Sequence, residues 1–196
     1  MATKCKLAPL ININFYLTGA WGEQRATHKH AGVDLSTGQK APVYSMYDGT
    51  VITVDGSGTT GSGYGPYIII KSDDGYAWLY GDLSSFSGFS KGDRVKAGQY
   101  ISREGNPAGT SSTGTHVHAE VEFLGDSNTF KYGYANSLDP TPFMGIENVV
   151  SYTKAYIYDG TPVPPEPPTP TPTSTKSKFP WVLYARKLRS WQFLNK

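Results

Sequence analysis

The chain has 196 residues, room for one ordinary domain with appendages, and its 38% apolar and 13% aromatic content is enough to build a core. Its lone cysteine, Cys5, excludes an internal disulfide framework, so stability has to come from packing, a metal ion or a larger assembly. The net charge of +2 conceals an asymmetry: residues 176–196 carry six basic residues and no acid, whereas residues 1–175 carry twelve basic against sixteen acidic, a net of −4. A mildly acidic body lacks the basic face that nucleic-acid binding needs, and no such partner is expected. No run of about 18 apolar residues is present to span a bilayer. Met1 to Leu10 lacks the apolar stretch of a signal peptide, so the chain is expected to be soluble as made.

In chain order, residues 1–27 read as an N-terminal arm, irregular except that Ile11, Ile13 and Phe15 alternate with Asn12 and Asn14 as a half-buried strand would. From Ala41 to Glu122, short β-branched or aromatic runs alternate with Gly, Asp and Ser clusters, the pattern of an antiparallel β fold. Strands are expected near Thr50–Val54, Tyr67–Lys71, Tyr76–Tyr80, Tyr100–Arg103 and His116–Phe123. The turn Asp73-Asp74-Gly75 makes a hairpin of the second and third, and the glycine-rich stretch Gly56–Gly65 is a loop. Residues 146–160 have room for an extra strand. Residues 161–178 form a Pro/Thr-rich linker, expected to be an extended, semi-rigid spacer. In the basic aromatic segment 179–196, Trp181, Tyr184, Leu188 and Trp191 stand at helical spacing, which predicts a short amphipathic helix that cannot bury its apolar face alone.

All four histidines sit in two His-x-His pairs, His28/His30 and His116/His118, and an aspartate, Asp34, follows the first pair. Imidazole and carboxylate are the donors that a borderline cation such as zinc takes. Residues i and i+2 of a strand share a face, so His116 and His118 project together about 6–7 Å apart. His30 and Asp34 would lie about 13 Å apart if the chain were extended, so it must bend between them, and Gly32 permits that. The competing reading is of surface histidines on loops and a solvated strand face. By the same parity Glu120 and Glu122 face the way His116 and His118 do, which makes Glu120 a candidate to orient a ligand. Tyr64, Tyr76 and Tyr80 are candidates to line a peptide cleft, with sheet packing as the alternative.

The segments His30-Ala-Gly-Val-Asp34, Gly49-Thr-Val51, Gly92-Asp-Arg-Val-Lys-Ala-Gly-Gln99 and Gly114-Thr-His116-Val-His118-Ala-Glu120 resemble the lysostaphin-type (M23) zinc peptidases, over about residues 28–123. Leu138-Asp139-Pro140 resembles the segment that often closes this domain, which places an M23-like peptidase domain at 28–145. The resemblance implies a mainly β, antiparallel metallopeptidase domain in which His30, Asp34 and His118 hold Zn2+ and His116 assists the catalytic water or the oxyanion. One position departs from the family: where it commonly carries a second catalytic histidine in Tyr-x-His-Leu, this chain has Tyr80-Gly81-Asp82-Leu83. A carboxylate at Asp82 can orient or deprotonate a water, but when ionised it cannot donate a proton to an oxyanion. His28 is not a motif position and reads as a solvent-facing bystander, with replacement of the absent second imidazole as the alternative.

The implied activity is that of a zinc-dependent endopeptidase acting on bacterial peptidoglycan. Lack of a signal peptide beside likeness to a wall hydrolase suggests a phage product that works at the virion tail or the host cell wall. The proline spacer and the segment 179–196 favour a tail-associated lysin docked in the virion over a holin-released endolysin. Contact of that basic aromatic segment with a membrane competes with docking onto a partner protein. The competing class is a non-catalytic, zinc-stabilised structural or wall-binding module, with turnover lost through Asp82.

Overall fold

The computed structural model describes residues 1–60, 62–106 and 114–160; the linker expected over 161–178 and the helix expected over 179–196 lie outside the described residues. In chain order the strands are β1 (Thr3–Lys4), β2 (Asn14–Gly19), β3 (Val33–Ser36), β4 (Pro42–Tyr44), β5 (Gly49–Asp55), β6 (Tyr67–Ser72) and β7 (Tyr76–Gly81). They continue with β8 (Arg94–Val95), β9 (Tyr100–Arg103), β10 (Val117–Phe123) and β11 (Tyr156–Ile157), and one helical turn, α1 (Thr141–Met144), precedes β11. Each of the strands expected between Thr50 and Phe123 is observed within one residue of its anticipated bounds. The hairpin turn is closed by the Gly75 N–H donating to Ser72 C=O, with Gly75 at φ 91°, a conformation a side chain would strain. Short strands β4 and β8 carry too few residues for an alternation to be read from sequence, whereas Val33–Ser36 of β3 does alternate apolar and polar residues.

Nine strands form one sheet in the order β1-β11-β2-β3-β10-β7-β6-β5-β8, and β4 pairs with β9 separately. All pairings are antiparallel except β1 with β11. Residues 1–27 supply β1 and β2, and residues 146–160 supply β11, so both ends of the described chain are woven into the sheet that carries β10.

Alternation along β10 assigns its two faces. Val117, Ala119 and Val121 project into the main core with Trp78 and Tyr80 of β7, Ile68 and Ile70 of β6, and Val33 and Leu35 of β3. His118, Glu120 and Glu122 therefore project to the opposite face, where Tyr67, Ile69, Ala77 and Leu79 pack with Phe130 in a smaller cluster. Parity also decides between cleft lining and sheet packing for two tyrosines, in favour of packing. Tyr76 and Tyr80 share the core face with Trp78; Tyr80 is buried and its hydroxyl accepts from Met46 N–H at 2.9 Å, while Tyr76 packs edge-on against Phe143.

Gly32, expected to allow a bend, is needed for a different reason. Its backbone is not left-handed, but a Cβ there would lie 2.3 Å from Ala119 C=O and 2.8 Å from His118 Nε2. A side chain at this point forces β10 away from the segment that delivers His30. Gly32→Ala is expected to cost about 1–3 kcal/mol, the usual range for overpacking a tight site. Thermal unfolding should show a midpoint lowered by several degrees, and an unchanged midpoint would contradict this packing.

Candidate metal centre

Strand register brings the first two donors together. Asp34 of β3 and His118 of β10 are direct cross-strand partners, so their side chains stand side by side on the face away from the main core. His30 reaches the same point from the turn before β3. His30 Nε2 lies 3.0 Å from His118 Nδ1 and 3.2 Å from Asp34 Oδ1, and His118 Nδ1 lies 3.1 Å from Asp34 Oδ1. These three atoms form a nearly equilateral triangle.

The outer atoms of both rings settle which way their lone pairs point. His30 Nδ1 is 2.9 Å from Ala20 C=O, which can only accept, so Nδ1 carries hydrogen and Nε2 presents a lone pair. His118 Nε2 faces the Glu120 carboxylate at 3.5 Å, the long limit of a hydrogen bond, which places its hydrogen there and a lone pair on Nδ1. Two imidazole lone pairs and a carboxylate oxygen thus converge, an arrangement that repels itself unless a cation sits among them. Tetrahedral zinc with bonds of about 2.0–2.1 Å separates its ligand atoms by about 3.3–3.4 Å. The observed edges are a few tenths of an ångström shorter, and the donor set of two imidazoles and one carboxylate with a free side fits a catalytic zinc site.

Without metal, protons take the cation's place. Burial lowers the basicity of His118, but the Asp34 and Glu120 carboxylates outweigh it and push its pKa up to about 10 from the usual 6.5. Burial likewise opposes ionisation of Asp34, yet the adjoining His118 and His30 imidazoles hold its carboxyl well below the usual range.

Glu120 is fully buried and does more than orient His118. Its Oε2 accepts from the Tyr64 hydroxyl at 2.7 Å and its Oε1 from Gly133 N–H at 3.1 Å. Tyr64, carried by the glycine-rich loop, places its ring 5.4 Å from that of His118. Arg25, which no motif singled out, donates from Nη2 to Asp34 Oδ2 at 3.0 Å. Nothing in its sequence neighbourhood signals this contact, because it depends on a turn outside any recognisable pattern.

His116 and Asp82 stand beside the triangle. His116 Nε2 is 3.2 Å from Asp82 Oδ2 and 3.7 Å from Asp34 Oδ1. Burial lowers the His116 pKa, but the Asp82 hydrogen bond and the Asp34 and Asp82 charges raise it above its usual value. Asp82 adopts a left-handed backbone, φ 54°, fixed by its N–H donating to Tyr64 C=O and its C=O accepting from Gly105 N–H. Aspartate tolerates that conformation better than most residues. His28 is exposed and pairs through Nδ1 with Thr27 Oγ1, away from the other three histidines.

A mainly antiparallel sheet thus presents a His/Asp/His triangle that is a candidate metal site, with the His116–Asp82 pair at its side. The chain belongs to peptidase family M23, whose family model matches residues 28–130. It is 35% identical over 116 residues to the glycyl-glycine endopeptidase ALE-1 of Staphylococcus capitis, covering 59% of this chain and 29% of that protein. It is 38% identical over 92 residues to the peptidoglycan DD-endopeptidase ShyB of Vibrio cholerae, covering 47% of this chain and 20% of that protein. Among solved structures, a variant catalytic domain of the prophage-encoded M23 protein EnpA from Enterococcus faecalis aligns with a TM-score of 0.52 at 26% identity. That alignment covers 68% of this chain and 95% of the other. The chain thus spans less than a third of the length of these curated relatives.

The raised pKa of His118 gives metal uptake a pH signature. In the metal-free protein its proton stabilises the fold fully below about 6.5, and that contribution is lost as the pH rises through about 10. A metal ion displaces the proton, so loading at pH 8 should release about one proton per site. Calorimetry in buffers of different ionisation enthalpy reads this number directly, and uptake with no proton release would contradict the assigned state of His118.

Proposed function

We propose that this chain is a zinc-dependent endopeptidase that hydrolyses peptide bonds of bacterial peptidoglycan. The observation that carries the reading is the convergence of His30 Nε2, Asp34 Oδ1 and His118 Nδ1 on one point with His116 beside it. Family membership and the activities named for the two curated relatives support the substrate class. His30, Asp34 and His118 would hold the ion, and zinc at such a site acidifies water and polarises a carbonyl oxygen.

The remaining chemistry falls to the chain's own side chains. His116 Nε2 lies near both Asp82 and Asp34, so a proton on it is stabilised and available to the oxygen that gains charge as the scissile carbonyl is attacked. Asp82 accepts from that imidazole and holds it over the site. Where the family commonly has a second imidazole, this chain relies on His116 alone to donate a proton, and Asp82 acts as acceptor. Tyr64 and the segment around Gly133, both tied to Glu120, flank the same face and are positioned to border the substrate.

Purified peptidoglycan incubated with the protein should acquire new amino termini, and a chelator should abolish their release. His116→Ala should lower the rate by about a hundredfold or more, and Asp82→His should raise it. The Asp82 departure also favours a second reading, a zinc-stabilised wall-binding or structural module without turnover. Intact muropeptides alongside tight zinc retention would select that reading and overturn the first.

The same proposal extends to where the enzyme works. We place it on a phage tail, as a lysin that opens the host wall during entry, on the strength of the prophage-encoded relative, the proline-rich run and the basic aromatic segment 179–196. Mass spectrometry of purified particles should find the chain in the virion. Its absence there would favour an endolysin released by a holin.

A further inference from the structure

We infer that Arg25 is a positioning residue for the candidate centre, occupying the outer oxygen of Asp34 so that this carboxylate offers a single oxygen to the ion. The inference rests on reading His30, Asp34 and His118 as metal ligands. Asp34 divides its two oxygens between separate tasks. Oδ1 lies 3.2 Å from His30 Nε2 and 3.1 Å from His118 Nδ1, whereas Oδ2 accepts from Arg25 Nη2 at 3.0 Å. The same Nη2 lies 3.2 Å from Glu23 Oε2, so the guanidinium is held from both sides.

The backbone is shaped around this pair. Gly19 of β2 sits opposite Asp34 of β3 where the register shifts, and a Cβ on Gly19 would lie 2.2 Å from Asp34 Oδ2 and 2.6 Å from Arg25 Nη2. Only a residue without a side chain leaves room for guanidinium and carboxylate together. The turn that delivers Arg25 is tied to the one that delivers His30: Arg25 N–H donates to His28 C=O at 2.8 Å, and His30 N–H to Glu23 C=O at 2.9 Å. Gln24 and Lys29 form a bridge between these contacts. Arg25 is therefore fixed relative to one imidazole ligand while it grips the carboxylate ligand.

The chemical consequence follows from coordination number. A carboxylate with both oxygens free can chelate a cation, which raises the coordination number and consumes the position a catalytic site must keep open. The charge-assisted hydrogen bond from Arg25 Nη2 to Oδ2 disfavours that mode, and outer partners of this kind commonly set metal affinity within a factor of about 10–100. Arg25 and Gly19 both precede residues 28–130, so this control is supplied from outside the segment that the family model matches.

Cobalt(II) substituted for zinc in the full chain tests this, because four-coordinate cobalt absorbs visible light much more strongly than five- or six-coordinate cobalt. The parent protein should give intense bands. R25M should give clearly weaker bands and lose its metal to a chelator about tenfold faster, with R25K, which keeps the charge, recovering much of the difference. R25M with bands and loss rate equal to the parent overturns the inference while leaving the metal centre intact. Parent protein that takes up no cobalt overturns the metal centre and this inference together. Should R25M not fold, R25Q carries the same expectation and the same refuting outcome.

Discussion

Three electron-rich atoms pointed at one another across about 3 Å cannot stay so without positive charge between them, and much of the fold's exposed-face design serves to impose that convergence. Each ring faces an acceptor on its far side, Ala20 C=O at 2.9 Å for His30 and, at a longer 3.5 Å, the Glu120 carboxylate for His118, which disfavours turning either ring over. The third member, Asp34, is pinned by Arg25. A preorganised cluster of this kind spends folding energy to create a cation site, as functional sites commonly do.

The sheet supplies this precision through register. Because Asp34 and His118 are paired residues on adjacent strands, their separation is a property of the ladder and not of side-chain choice. Glu120, one pleat further along β10, lies across from Leu79 and beneath the Tyr64 hydroxyl, and connects His118 to two loops at once. A displacement of the Tyr64 loop would thus be transmitted to an imidazole of the centre through a single buried carboxylate.

How far the sequence disclosed this depends on the range of the pattern involved. Long runs with two-residue alternation, such as Val117 to Phe123, announce both their strand and its faces, and the same parity placed Glu120 beside His118. The pairing of β3 with β10 could not be read, since the alternation in Val33–Ser36 assigns faces but not a partner, and that partner lies more than eighty residues away. For Tyr76 and Tyr80 the sequence left cleft lining and sheet packing open, and side-chain parity decides for the core. The role of Gly32 was legible in kind but not in mechanism, as closeness to Ala119 C=O is a tertiary fact. Arg25 and Gly19 left no trace, because their value comes from a bulge and a turn that no composition rule specifies.

The weaving of β2 into the sheet has a practical consequence for anyone who would transplant this centre. The family model marks out residues 28–130, but β3 is flanked on one side by β10 and on the other by β2, from residues Asn14–Gly19. A graft that begins at the similarity boundary would leave β3 as a bare edge, its backbone donors and acceptors open to any passing strand. The sheet that holds the centre extends beyond the segment the family model matches, and a chimera designed on that segment alone invites self-association at the very strand that carries Asp34.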